Sequence, residues 1–106
     1  MKANIFKIKK EKLDVWKKWC QLLNSDLKME AIETLIEEKV SYEAFAIFKI
    51  KEEFYTIGFG EGEFLPANLN KEINIKHQAV KKECLEYIDS AEMLYELIVK
   101  NNFNDH

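Results

Sequence analysis

Residues 3–9 (Ala-Asn-Ile-Phe-Lys-Ile-Lys) are rich in β-branched and aromatic side chains and predict a first strand. From Leu13 the apolar spacing becomes three and four, through Trp16, Cys20, Leu23 and Leu27, and it resumes with Ala31, Ile32, Leu35 and Ile36. One unbroken helix over residues 11–38 would be about 42 Å long, against about 25 Å for a strand of seven or eight residues. Asn24-Ser25-Asp26 lies at the midpoint and offers N-cap residue types. The pattern therefore predicts a kinked or split helical region, with a first helix to about residue 23 and a second over about 26–38. Residues 41–51 and 53–61 then predict a hairpin joined at Lys51-Glu52. A stripe of Ile73, His77, Val80, Cys84 and Tyr87 or Ile88, capped at Asn70, predicts the last helix. Asp89-Ser90 reads as its break, and residues 91–99 as the last strand. The prediction is one α+β domain over residues 1–100, followed by a polar tail over 101–106.

Strands at both ends, a central hairpin and two helical crossovers give the order β-α-β-β-α-β of a ferredoxin-like sandwich. Helices on one side of a four-stranded sheet should leave the other side polar. Here Tyr42, Ala44, Ala46, Phe48 and Ile50 occupy one face of the second strand, and Phe45 and Ile47 the other. Tyr55, Ile57 and Phe59 likewise oppose Phe54 and Thr56 on the third. A sheet apolar on both faces predicts a partner, and a symmetric homodimer through the apolar sheet face is the commonest solution.

Charge narrows the function classes. All sixteen basic residues are lysine, and the net charge is −3. Without arginine there is no planar fork for bidentate phosphate or guanine recognition, so no nucleic acid partner is expected. The longest apolar run, residues 44–48, falls far short of the ~20 residues that span a bilayer, so no membrane partner is expected either. The N-terminus enters a strand without a signal-peptide core, and Cys20 and Cys84 form no CxxC pair. Both features predict reduced thiols and a cytoplasmic location.

The segments Trp16-Lys17-Lys18-Trp19-Cys20, Glu30-Ala31-Ile32-Glu33-Thr34-Leu35-Ile36-Glu37-Glu38 and Pro66-Ala67-Asn68, with Asn74 and His77, resemble a small bacterial family of unknown function. The arrangement as a whole resembles the dimeric α/β-barrel superfamily, in which two ferredoxin-like sheets pack face to face around a cavity. That superfamily includes antibiotic-biosynthesis-type monooxygenases, haem-degrading monooxygenases and sugar mutarotases. The resemblance implies a small dimeric barrel that binds or transforms a small molecule in a barrel cavity near His77. A non-catalytic dimerisation module and a monooxygenase-like or haem-binding enzyme are the alternatives. Mutarotases carry a Tyr-x-x-x-His element where this chain has residues 19–25 with neither residue. Haem-degrading enzymes carry a tryptophan on the third strand, where Phe59 stands here.

His77 is the central candidate for ligand binding, near a helix N-terminus that favours a neutral imidazole. Asn74, one turn earlier, is predicted to share its site. Trp19 and Tyr55 are further ligand-binding candidates, as aromatic walls. Two tryptophans on a core-facing helix are equally packing mass. Glu30, Glu33 and Glu37 share one helical face but have no histidine beside them, so a solvated surface is expected, with no metal and no cofactor. Cys20 and Cys84 have no activating base in the sequence and read as core thiols. The glycines at 58, 60 and 62 lack phosphate-loop spacing and predict close backbone approach or a bulge instead. Haem is not expected as the physiological ligand.

Overall fold

A computed structural model describes residues 1–99. The elements are β1 (Lys2–Ile8), α1 (Leu13–Leu23), α2 (Lys28–Glu37), β2 (Val40–Ile50), β3 (Glu53–Gly62), α3 (Glu72–Cys84) and β4 (Leu85–Ala91). The order is thus β-α-α-β-β-α-β, because the first helical region divides into two helices rather than one kinked rod. The four strands form one antiparallel sheet in the order β2-β3-β1-β4. No helix of the described residues is long and apolar enough to cross a membrane.

The break between α1 and α2 has a local cause. The Asn24 amide is shared between the Cys20 and Gln21 carbonyls, and the Leu27 amide reaches back five residues to Leu22. The Ser25 hydroxyl donates to the Gln21 carbonyl at 2.6 Å, which terminates α1. The expected cap of the second helix is therefore corrected: α2 starts at Lys28 behind Leu27 and has no side-chain cap. The same holds at α3. Asn70 is the expected cap, but Lys71 occupies that position without a side-chain capping bond. Asn68 instead accepts the Asn70 amide through its side chain at 3.0 Å, an Asx turn leading into the helix.

The last strand is the larger correction. The predicted helix runs through Tyr87 or Ile88 and the predicted strand begins at residue 91; in the structure α3 stops at Cys84 and β4 starts at Leu85. Pairing with β1 overrides the helical period. Leu85 sits opposite Ile8, and both are buried beside Cys84. The Lys9 amide donates to the Cys84 carbonyl at 2.7 Å and fixes the switch point. Asp89-Ser90, expected to break a helix, lies at a β-bulge where the register shifts between Ile5 and Phe6. Residues 92–99 have no regular structure, and the tail expected over residues 101–106 lies outside the described residues.

Register assigns the faces. Phe6 pairs with Thr56, Asn4 with Gly58 and Phe45 with Gly58, so these side chains share the face that the helices cover. Trp16, Trp19, Val80 and Cys84 pack there with Ile8 and Leu85, joined by Phe6, Phe45 and Leu23. Ile5, Ala44, Ala46, Phe48, Ile50, Tyr55, Ile57 and Phe59 occupy the helix-free face. No element of the described residues covers that second apolar surface, and Tyr42 and Ile50 are about half exposed on it.

Candidate functional site

Between the helices and the sheet lies a cavity of about 410 Å³. That is within the range of small-molecule sites, roughly 300–1,000 Å³. Its floor is made by Phe6, Phe45 and the backbone of β3. Glycine is needed in that floor: a Cβ at Gly58 would lie 2.6 Å from the Phe45 ring, and one at Gly60 2.7 Å from the Phe64 ring. At Gly58 and Gly60 the close approach is thus one of aromatic rings, whereas at Gly62 a Cβ would collide with the Lys39 carbonyl oxygen, the expected backbone approach. Asn4 borders it from β1, and Asn74, His77, Gln78 and Lys81 border it from α3.

Trp19 determines what His77 can do. The indole Nε1–H donates to His77 Nδ1 at 2.8 Å. An indole nitrogen is only a donor, so Nδ1 must be the acceptor and the imidazole proton sits on Nε2. The His77 pKa falls to about 4, first through burial and then through the charge of Lys81. Protonating Nδ1 would also set two N–H groups against each other. At neutral pH His77 is thus a neutral ring on the cavity wall whose Nε2–H is a donor.

Asn74 is buried one turn earlier and donates from Nδ2 to the Asn68 carbonyl at 3.0 Å, which ties α3 to the loop before it. Lys81 lies one turn after His77, with its ammonium 5.7 Å from the Phe6 ring centre and 6.0 Å from that of Phe45. Across the cavity, desolvation holds the Glu43 carboxyl above the usual carboxylate range; Lys81 opposes that shift and Glu38 adds to it.

The structure brings His77 and Asn74 together in this cavity. Trp19 stands behind His77 as its hydrogen-bond donor and is itself buried. Tyr55 lies on the helix-free face, stacked on Phe48 at 5.4 Å, with its hydroxyl donating to Glu53. Sequence reasoning did not single out Lys81 or Glu43. Lys81 follows His77 by four residues and so shares its helical face, and Glu43 alternates with Phe45 along β2. Either spacing points to the site once His77 is chosen.

The remaining candidates fall elsewhere. Glu37 pairs with Lys71 at the surface. Among the described residues no group of three or more His, Cys, Asp or Glu is placed to hold a metal ion. Burial, then the neighbouring Cys84, pushes the Cys20 thiol up to about 11, and burial also raises Cys84, so neither is an activated nucleophile.

Iron ligation at His77 would require a lone pair on Nε2 and therefore a proton on Nδ1, where the Trp19 donor already points. Titration of the purified protein with hemin is accordingly expected to give no stoichiometric Soret band. A band that disappears in His77→Ala would show the Trp19–His77 bond to be dispensable and the expectation wrong.

No curated protein and no solved structure matches the chain. One family profile matches residues 1–104, nearly the whole length. The chain belongs to that family, described as a family of unknown function (DUF6176).

Proposed function

We propose that the chain binds a small molecule carrying a hydrogen-bond acceptor, such as a carboxylate or carbonyl, in the cavity beneath α3. The Nε2–H of His77 and the ammonium of Lys81 are the donors, and Phe6 and Phe45 supply the apolar wall. The Trp19–His77 bond carries this reading: it fixes the imidazole as a neutral donor at a cavity wall. Asn74 holds the helix against the loop and presents its remaining amide valences to the same space. The reading is one of binding and assigns no base or nucleophile.

The same proposal includes a ferredoxin-like, barrel-forming homodimer through the helix-free face. The strand order β2-β3-β1-β4 with helical crossovers on one side supports it, as does the uncovered apolar surface. Because His77 is on the helix side, the binding site is distinct from any space enclosed between two sheets. A cytoplasmic location, supported by the free thiols of Cys20 and Cys84, completes it.

Thermal-shift screening with small carboxylates and carbonyl compounds tests the binding reading. A responding compound is expected to lose roughly tenfold or more in affinity in His77→Ala and in Lys81→Met, the cost of one donor at a desolvated site. Absence of any response, with self-association intact, would favour the second reading, a non-catalytic dimerisation module. The observation behind that second reading is the helix-free apolar face itself.

A further inference from the structure

Residues 92–99 (Glu-Met-Leu-Tyr-Glu-Leu-Ile-Val) have the composition of a strand but do not form one. Leu94, Tyr95, Leu97, Ile98 and Val99 are 78–84% exposed, a degree of exposure found at no other apolar side chain among the described residues. The cause is a missing neighbour. Ala91 pairs with Ala3, one residue from the start of β1 at Lys2, and beyond that pair the segment has no strand beside it among the described residues. Its midpoint touches the end of the sheet, where the Met1 amino group lies 3.1 Å from Glu61 and 3.7 Å from Glu96. The radius of gyration, 15.5 Å, exceeds the roughly 13 Å of a compact chain of this length, as a projecting arm requires.

The sheet has a matching vacancy. Its two edges are β4 and β2. The β4 edge is short and blunted by a bulge and by exposed Glu86 and Asp89. The β2 edge runs eleven residues, from Val40 to Ile50, and pairs on one side only, with β3. Between residues 42 and 50 only Glu43 and Lys49 are charged, and Tyr42, Ile47 and Ile50 are 42–53% exposed. An open, apolar edge of this length is a template for another strand.

We infer that residues 92–99 of one copy add as a strand to the β2 edge of a second copy. The fit is physical on three counts. Eight residues extend about 27 Å, within the length of β2. One side of the arm is wholly apolar (Met93, Tyr95, Leu97 and Val99) and the other alternates Leu94 and Ile98 with Glu92 and Glu96. β2 is likewise apolar on one side (Tyr42, Ala44, Ala46, Phe48 and Ile50) and mixed on the other, where Phe45 and Ile47 lie between Glu43 and Lys49. Each copy has one arm and one open β2 edge at opposite ends of the sheet, so a two-fold exchange satisfies both and closes. The segment is then the strand that its sequence pattern predicts, completed by the partner's backbone.

The inference rests on the homodimer reading above and is separable from it by experiment. In the full chain, Leu97→Asp with Ile98→Asp alters side chains that are exposed within one copy, so the fold of that copy is expected to survive. Self-association measured by sedimentation equilibrium is expected to weaken by roughly 100-fold or more. Isotope-filtered NOE spectra of a mixed labelled and unlabelled wild-type sample are expected to show contacts between the arm methyls and β2 amides of different chains. Unchanged association in the double variant, or arm contacts confined to their own chain, would overturn the exchange and leave the dimer standing. A wild-type chain that sediments as a monomer would overturn both.

Discussion

Replacing Trp19 by alanine is expected to lower stability by about 3–5 kcal/mol, the usual cost of truncating a buried tryptophan. Trp19 is 3% exposed and packs in the cluster with Ile8, Trp16 and Cys84. The more informative variant is Trp19→Phe, which keeps most of the packing volume and removes only the indole donor. It leaves His77 Nδ1 without its partner, at a cost of about 1–3 kcal/mol. It also removes the obstacle to protonating that nitrogen, so the His77 pKa is expected to rise from about 4 toward the ordinary imidazole value. Burial and Lys81 remain in place, so the rise is partial. Urea denaturation gives the stability change, and an NMR titration of the imidazole Cε1–H gives the pKa. An unmoved pKa in Trp19→Phe would mean that the indole does not control the protonation of His77, and the assignment of Nε2–H as the ligand donor would lose its support.

That dependence on one indole marks the limit of what the sequence makes legible. The hairpin and the division of the first helical region follow from local signals, the charged turn at Lys51-Glu52 and the polar run Asn24-Ser25-Asp26. Their mechanism is less legible: Ser25 closes the first helix instead of opening the second, a choice between two good local bonds. The boundary at Cys84 is set by distant pairing. Residues 73–88 keep a helical stripe, but Leu85 reaches a buried partner in Ile8 only as a strand, and that gain is invisible without β1. The alternation in residues 91–99 predicts the fourth strand there, but that strand consists of residues 85–91.

The candidate site divides in the same way. His77 and Asn74 are found from one helix, because three residues separate them on its inner face. Tyr55 belongs to the other side of the sheet, and strand parity carries that information, since Tyr55 alternates with Ile57 and Phe59 on the helix-free face. Trp19 and His77 are 58 residues apart, and no local pattern joins them. Lys81 and Glu43 occupy positions that polar surface residues usually fill. Their significance comes from the glycines across the cavity, which leave room for Phe45 and Phe64 to lie against the strand.

Acidification is expected to destabilise the fold through His77, by about 2–3 kcal/mol between pH 7 and pH 4. The folded pKa of about 4 lies below the ordinary imidazole value of 6.5. The unfolded chain therefore takes up the proton first. Stability from this group is complete above about pH 6.5 and is lost as the pH falls toward 4, with no further loss below. Glu43 acts in the opposite direction: its raised pKa means that protonation relieves a burial penalty as the pH falls. The surface pair of Glu53 with Lys7 weakens in acid like any exposed carboxylate pair. A single pH profile mixes these contributions, so the comparison that isolates His77 is with His77→Gln. Glutamine cannot take a proton, and its side-chain oxygen can still accept the Trp19 donor. Urea midpoints at pH 7 and pH 4.5 are expected to separate less in His77→Gln than in the wild type, by about 2 kcal/mol when converted to free energy. Equal separations would place the His77 pKa near its ordinary value in both folded and unfolded chains. A ring that titrates normally is a partly cationic, solvated imidazole, and the cavity beneath α3 would then have no fixed neutral donor with which to select an acceptor-bearing ligand.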